Sequence, residues 1–148
     1  MQENLHVTVA AIIEQDKRFL LVEESIQGQH LYNQPAGHLE EDETLIEAVI
    51  RETLEETAAH FSPAHITGIY QWTQPENRQT FMRISFTGEI TSFEEGRQLD
   101  EGILRAVWLT EMEIKALQKQ HRSPLVLQCI HDYQQGQRYP LELIKHIV

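Results

Sequence analysis

The 148-residue chain has few cysteines and few basic residues. Its one cysteine, Cys129, excludes an internal disulfide and is typical of proteins in the reducing cytoplasm. Because it falls in a predicted helix, we expect Cys129 to be a core residue rather than a nucleophile. Lysine and arginine together number 12 against 23 acidic residues, which gives a formal net charge of −11. This charge argues against nucleic acid as the main partner, since the phosphate backbone would be repelled.

Long apolar runs and a leader segment are also missing. A membrane-spanning helix needs about 18 or more consecutive apolar residues, and the sequence offers no such run. The chain start, residues 1–6, lacks a basic segment followed by an apolar one, so we predict no signal peptide. Together with the single cysteine, these absences predict a cytoplasmic protein that does not use a membrane. The length predicts one domain, residues 1–148, with its own core.

What the chain does contain is an acidic helix over residues 45–56, where apolar side chains recur at helical spacing. On this helix Glu52, Glu55 and Glu56 share one face, because they stand at i, i+3 and i+4. Three like charges repel one another unless a hard divalent cation binds them through oxygen. The pattern therefore predicts a Mg²⁺ site, and the alternative is a solvated acidic face on an ordinary amphipathic helix.

Strands are expected on both sides of this helix. Five segments combine β-branched and apolar residues between turn-forming ones, namely 5–13, 18–23, 66–73, 80–90 and 105–109. We expect the second to form a hairpin with the first through a turn at 14–17. Pro35 excludes a regular central strand at its position, so an edge strand or an irregular strand is expected there.

Helix signals complete the outline of the fold. Thr44 and Thr110 are each followed three residues later by glutamate, which predicts capping boxes at two helix starts. The second of these helices is expected to reach about Lys119, and Pro124 predicts the start of another. Strands enclosing the acidic helix, with further helices after them, predict an α/β fold with three α/β/α layers.

The acidic helix is part of a longer motif. Gly37 and Glu43 precede it at the spacing of the Nudix box, which continues in Arg51, Glu52, Glu55 and Glu56. The chain therefore resembles the Nudix family over residues 37–59, and the resemblance implies the Nudix α/β/α sandwich with a mixed sheet. Where the family usually has glycine, this chain has Ala58. Alanine adopts the left-handed turn expected there at a cost of roughly 1 kcal/mol.

The resemblance also implies a metal site. Glu52, Glu55 and Glu56 are expected to bind Mg²⁺ or Mn²⁺, and Gly37 lets the backbone approach the ion. Many members of the family take a further acidic ligand from a loop after the box. In this chain either Asp100 or Glu101 could provide it.

Other box residues are assigned supporting or catalytic roles by the same resemblance. Glu56 is expected to act on water as well as on metal. Glu43 is expected to orient the site or to receive a proton, and Arg51 to form ion pairs that orient the glutamates.

Residues outside the box extend the resemblance to one bacterial phosphatase branch of the family, through segments 6–10, 32–39, 71–72 and 136–142. That branch implies hydrolysis of nucleoside tri- and diphosphates and of small pyrophosphate esters such as hydroxymethylpyrimidine pyrophosphate and thiamin pyrophosphate. The partner would be a small phosphorylated metabolite. Two alternatives are a hydrolase of sugar-linked or dinucleoside polyphosphates and a non-enzymatic metabolite sensor. The complete set of box carboxylates argues against the sensor.

Candidate substrate contacts are less specific. Tyr32, Trp72 and Phe81 could stack on an aromatic base, or they could be core residues. Arg83 or Arg78 could bind phosphate, or either could be an ordinary surface arginine.

Overall fold

Residues 4–148, which this computed structural model describes, form nine β-strands and three α-helices. The strands are β1 Leu5–Ile12, β2 Glu14–Gln15, β3 Arg18–Ile26, β4 Gln29–Asn33, β5 Ala36–His38, β6 Ala59–Thr73, β7 Thr80–Phe93, β8 Ile103–Thr110 and β9 Tyr139–Pro140. The helices are α1 Leu45–Thr57, α2 Glu111–Ala116 and α3 Leu125–Gln134. Met1, Gln2 and Glu3 belong to the start for which no signal peptide is predicted, and they lie outside the described residues.

The strands form two sheets. One has the order β5–β1–β7–β6–β9, in which β1 and β7 are parallel and the other pairs are antiparallel. In the other sheet β3 pairs with β8 along one edge and with β2 and β4 along the other, all antiparallel. The result is an α/β structure with a mixed sheet, as the sequence predicts.

Alternating side chains build a core on each side of the strands. Val9 and Ala11 of β1 pack with Ala48 and Val49 of α1 in the first cluster. A second cluster joins strand residues to α3: Ile12, Phe19, Leu21, Leu125, Val126, Cys129 and Ile130. Cys129 is fully buried in this second cluster, which is the position expected for it.

The predicted hairpin between residues 5–13 and 18–23 is wrong in its pairing. β1 pairs with β5 and β7, whereas the partner of β3 at this point is the short strand β2. Asp16 and Lys17 form the turn between β2 and β3 and both have positive φ, 51° and 65°. That geometry suits a two-residue hairpin turn. The chain therefore passes from one sheet to the other just after β1.

Other elements differ from the prediction mainly in length. β6 begins at Ala59 rather than residue 66, and register shifts around Pro63 interrupt its pairing with β7. Helix α2 ends at Ala116, and a 3₁₀ turn, Gln118–Gln120, replaces the last part of the predicted helix. Both capping boxes are confirmed. Pro35 itself lies in a bend between β4 and β5 and not in a strand, and the edge strand β5 begins at the next residue.

Within residues 4–148, no helix has the length and apolar character that crossing a membrane requires.

Candidate active site

Helix α1 supplies most of the acidic side chains of the site. Thr44 caps its start, where its hydroxyl accepts a hydrogen bond from the Glu47 N–H and the Glu47 carboxylate accepts one from the Thr44 N–H. At its end Ala58 has the left-handed φ of 66° expected at this position, and its N–H donates to the carbonyl of Leu54. These two caps define the helix that carries the box glutamates.

Three carboxylates, which we call the acidic cluster, converge at one point. One oxygen from each of Glu52, Glu55 and Asp100 lies within 4.8 Å of the other two. The main chain places Asp100, because its N–H donates to the carbonyl oxygen of Glu55 over 3.0 Å. Of the two predicted loop ligands, the structure thus brings Asp100 to the helix, and in the described chain Glu101 takes no part in the group. Oxygen ligands at this spacing suit a hard divalent cation.

Gly37 lies directly against the acidic cluster. A Cβ atom built on it would sit 2.1 Å from both Cδ and Oε2 of Glu52, closer than any side chain tolerates. The missing side chain therefore creates the room that the Glu52 carboxylate occupies. This close approach brings the carboxylate oxygens of Glu52 next to the main chain of Gly37.

Arg51 organises the carboxylates through charge-assisted hydrogen bonds. Its Nε and Nη2 donate to the two oxygens of Glu43 over 2.6 and 3.0 Å. Its Nη1 donates to Glu52 and to Glu55, each over 3.0 Å. These carboxylates raise the pKa of Arg51, so the guanidinium remains charged.

Glu43 acts in this network as an anchor for Arg51. The hydrogen bonds from Arg51 hold the pKa of Glu43 below its ordinary value. A carboxylate with a lowered pKa is a poor proton acceptor at neutral pH. Of the two roles considered for Glu43, the geometry therefore favours orientation of the site over receipt of a proton.

Glu56 lies beside the acidic cluster in a more enclosed place. Glu56 is only 8% exposed, and its Oε1 accepts a hydrogen bond from the N–H of Ala36 over 3.0 Å. Burial raises the pKa of Glu56 to about 9 and that of Glu52 to about 7. Both carboxylates therefore favour either a proton or a nearby cation.

A cavity of about 460 Å³ opens next to these carboxylates, and Glu52, Glu56, Gly37 and His38 are among the residues that line it. Trp72, Phe81 and Arg83, three of the five candidate substrate contacts, line it too. Tyr32 does not line this cavity. Tyr32 is 7% exposed, and its side chain packs in the second core cluster, which includes residues of α3.

Aromatic rings form one wall of the cavity. Trp72 is stacked on Phe81 with 5.8 Å between ring centroids, and Phe81 is stacked on His6 at 4.7 Å. Trp72 and Phe81 line the cavity, and we call these two side chains the aromatic wall; His6 contacts Phe81 but does not line the cavity. Cross-strand pairing of Trp72 with Phe81 explains the first stack. The stack of His6 on Phe81 could not be predicted from the sequence, because β1 and β7 are distant in the chain.

Arg83 is buried, with the residue only 5% exposed, so it is not an ordinary surface arginine. Its Nη1 donates to Oε1 of Gln34 over 2.9 Å, and its Nη2 donates to Oδ1 of Asn33 over 3.0 Å. Sequence reasoning did not single out Asn33 and Gln34, although they lie in the segment 32–39 that carries the family resemblance. Arg78, the other arginine considered for phosphate, is exposed and does not line the cavity.

Comparisons with a family model, with known sequences and with solved structures all match the same family. The family model of the NUDIX domain matches residues 4–128. Phosphatase NudJ of Escherichia coli K12 is 46% identical over 140 residues, covering 94% of this chain and 90% of the relative. A solved structure of a NUDIX hydrolase from Nitrosomonas europaea is 52% identical, with a TM-score of 0.94, and covers 96% of this chain and 97% of its own.

More distant structures share the fold alone. The NUDIX domain of Shewanella oneidensis NrtR, solved as a complex with ADP ribose, is 19% identical with a TM-score of 0.70. That alignment covers 89% of this chain and 88% of the other.

Proposed function

The chain belongs to the Nudix family of hydrolases, and from this premise we propose that it is a Mg²⁺-dependent phosphatase. Its substrates would be nucleoside tri- and diphosphates and small pyrophosphate esters such as hydroxymethylpyrimidine pyrophosphate and thiamin pyrophosphate. The observation that carries the proposal is the convergence of Glu52, Glu55 and Asp100 beside a cavity that also holds a buried arginine. The similarity to a relative named as a phosphatase supports it.

The proposed metal ligands are the acidic cluster, with Glu56 and the main chain of Gly37 next to it. Mg²⁺ fits because the donors are all oxygen, and Mn²⁺ could replace it. A bound divalent cation supplies positive charge to the phosphoryl oxygens and makes water a better nucleophile. Arg51 holds two of the cluster carboxylates in position through its bonds to Glu52 and Glu55.

Proton transfer is assigned to Glu56. Burial raises the pKa of Glu56 to about 9, so the group holds a proton at neutral pH until a neighbouring cation favours its ionised form; the ionised carboxylate would then accept the proton that the attacking water loses. The hydrogen bond from Ala36 holds one carboxylate oxygen and leaves the other for this role. Trp72 would stack on the heterocyclic group of the substrate, and Arg83 would contact phosphate.

An assay of substrates and products tests the proposal. GTP, GDP, hydroxymethylpyrimidine pyrophosphate, thiamin pyrophosphate and ADP-ribose are each incubated with protein and Mg²⁺, and the products are resolved over time. GTP should give transient GDP with orthophosphate, and a chelator should stop the reaction. Direct release of GMP with stoichiometric pyrophosphate would contradict the phosphatase assignment. Preference for ADP-ribose would favour the sugar-linked alternative, and binding without turnover would favour a sensor.

Replacing one ligand tests the metal site itself. Glu55→Gln keeps size and helix propensity but removes a charged ligand, so the rate should fall by several orders of magnitude with the fold intact. The matched control is Glu41→Gln, which removes the same charge from an exposed residue outside the cluster. Circular dichroism and steady-state kinetics compare the three proteins. A folded and fully active Glu55→Gln protein would show that these glutamates form only a solvated face.

A further inference from the structure

Arg83 is a buried cation without an anionic partner. Its three described acceptors are Oδ1 of Asn33, Oε1 of Gln34 and, at 3.7 Å, Sγ of Cys129, all on uncharged groups or a thiol. None of the ion pairs formed within residues 4–148 includes Arg83. Removing a guanidinium from water without an opposite charge is unfavourable. A ligand that carries negative charge into the cavity would provide the missing charge.

The guanidinium is held in a fixed orientation. Gln34 donates from Nε2 to the carbonyl of Val126 over 2.9 Å, which fixes its amide so that Oε1 points at Arg83. Asn33 holds the other side of the guanidinium. Of the five N–H groups of an arginine, the one on Nε and one on Nη2 have no acceptor among the residues the structure describes. These two N–H groups can meet a planar pair of phosphate oxygens.

Strand pairing gives the order of features along the cavity. Phe81 and Arg83 are two residues apart on β7, so they face the same side at a spacing of roughly 7 Å. Thr8 is in register with both Arg83 and His38, which puts His38 two strands away, at roughly 10 Å. Gly37, the neighbour of His38 on β5, lies against Glu52 of the acidic cluster. Along the cavity the aromatic wall comes first, then Arg83, then the acidic cluster. This order matches that of the heterocyclic ring, the inner phosphate and the outer phosphate in a substrate.

Building on the proposed function, we infer that Arg83 binds the inner phosphate of a diphosphate substrate, the one esterified to the alcohol that carries the heterocyclic ring. The water oxygen bonds to the outer phosphorus, and the bond between that phosphorus and the bridging oxygen breaks. The bridging oxygen stays on the inner phosphate, and the proton lost by the water goes to Glu56. The outer phosphate leaves as orthophosphate while the monophosphate ester remains on Arg83. Arg83 is thus the residue that holds the monophosphate product.

GMP is a suitable probe because it has no anhydride bond to hydrolyse. Titration calorimetry with Mg²⁺ and again with a chelator should show that GMP binds and that guanosine binds at least about tenfold more weakly. Asn33→Asp is the decisive variant. It places a carboxylate against Nη2 of Arg83 and removes no described hydrogen bond, so the fold should keep or gain thermal stability. GMP affinity should fall at least about tenfold in both conditions, because the charge on Arg83 is then neutralised.

Other variants separate the outcomes. Arg105→Gln is the matched control, since Arg105 is an exposed arginine paired with Glu23 outside the cavity, and GMP affinity should not change. Arg122 reaches the same cavity but is bonded to both oxygens of Glu24. Loss of GMP binding in Arg122→Gln but not in Asn33→Asp would overturn the inference, as would a loss seen only with Mg²⁺. If GDP is not hydrolysed but GMP binding still depends on Arg83, the proposed function fails and the anion site stands.

Discussion

At the scale of single residues, the site depends on one close contact between side chain and main chain. The carboxylate of Glu52 occupies space that any residue other than glycine at position 37 would fill. The same carboxylate accepts a hydrogen bond from Arg51 and belongs to the acidic cluster. A methyl group at position 37 would therefore displace a proposed metal ligand and its bond to Arg51 together.

Gly37→Ala should lower the hydrolysis rate by about 100-fold or more, since a displacement of about 1 Å at a reacting centre costs that much. The control is Gly28→Ala, where φ is 81° and no atom lies within 4 Å of an added Cβ. That variant should lose roughly 1 kcal/mol of unfolding free energy and keep its rate. Kinetics and thermal unfolding of both proteins provide the measurements. A normal rate in Gly37→Ala would mean that Glu52 can move without loss.

Site residues that are close together in the sequence can be predicted from it, whereas those brought together only by folding cannot. The helix spacing of Glu52, Glu55 and Glu56 is local, so it could be recognised without a structure. The choice between Asp100 and Glu101 could not, because it depends on a hydrogen bond from the loop to helix α1. For Tyr32 the sequence leaves both a substrate contact and a core position open, because nothing in its neighbours shows which face of β4 meets α3; the structure places it in the core.

At the scale of elements, helix α1 ends in a strained residue. Ala58 has a φ of 66°, where its Cβ approaches the carbonyl oxygen, yet its N–H still closes the helix on Leu54. Ala58 itself contributes no atom to the acidic cluster, which Glu52, Glu55 and Asp100 form. Strain at this end therefore affects the stability of the helix more than the chemistry.

Ala58→Gly should raise the free energy of unfolding by about 1 kcal/mol, because glycine adopts the left-handed conformation without steric cost. For a chain of this size the melting temperature should rise by about 2–4 °C. The hydrolysis rate should stay the same. Differential scanning calorimetry and steady-state kinetics check the two statements. A large gain in rate would indicate that the helix end constrains the site after all.

Pairing between elements was harder to predict than the elements themselves. Periodicity located most strands, and side-chain capping signals located two helix starts. The hairpin prediction failed because β1 and β3 are neighbours in sequence but lie in different sheets, joined by the short strand β2. The first half of β6 was missed because Pro63 and the register shifts around it disturb the alternation.

At the scale of the whole molecule, the excess of negative charge reaches into the interior. Burial raises the pKa of Glu52 to about 7 and of Glu56 to about 9, above the ordinary value of 4.5. In the unfolded chain both groups ionise near the ordinary value. Their contribution to stability is therefore complete below about pH 4.5 and is lost as the pH rises through 7 and then 9.

In a chelator, the melting temperature should fall as the pH rises from 7.5 to 9.5, and Mg²⁺ should reverse the fall by compensating the ionised carboxylates. Starting at pH 7.5 avoids His38 and His121, whose pKa values are lowered by burial and which act in the opposite direction near their ordinary value. Glu56→Gln should show a smaller fall than wild type. If the melting temperature of the wild type stays constant or rises over this pH range, the raised pKa assigned to the buried Glu56 is contradicted.

The parallel pairing of β1 with β7 has a consequence for how the chain is made. Ile12 and Thr87, which meet in this pair, are 75 positions apart in the sequence. During synthesis β1 is finished long before its partner exists, and contacts this distant form late because the intervening chain must be ordered first. Arg83 lies on β7 and Gly37 on β5, on opposite sides of β1. Both halves of the cavity therefore come together only when the ribosome has completed β7.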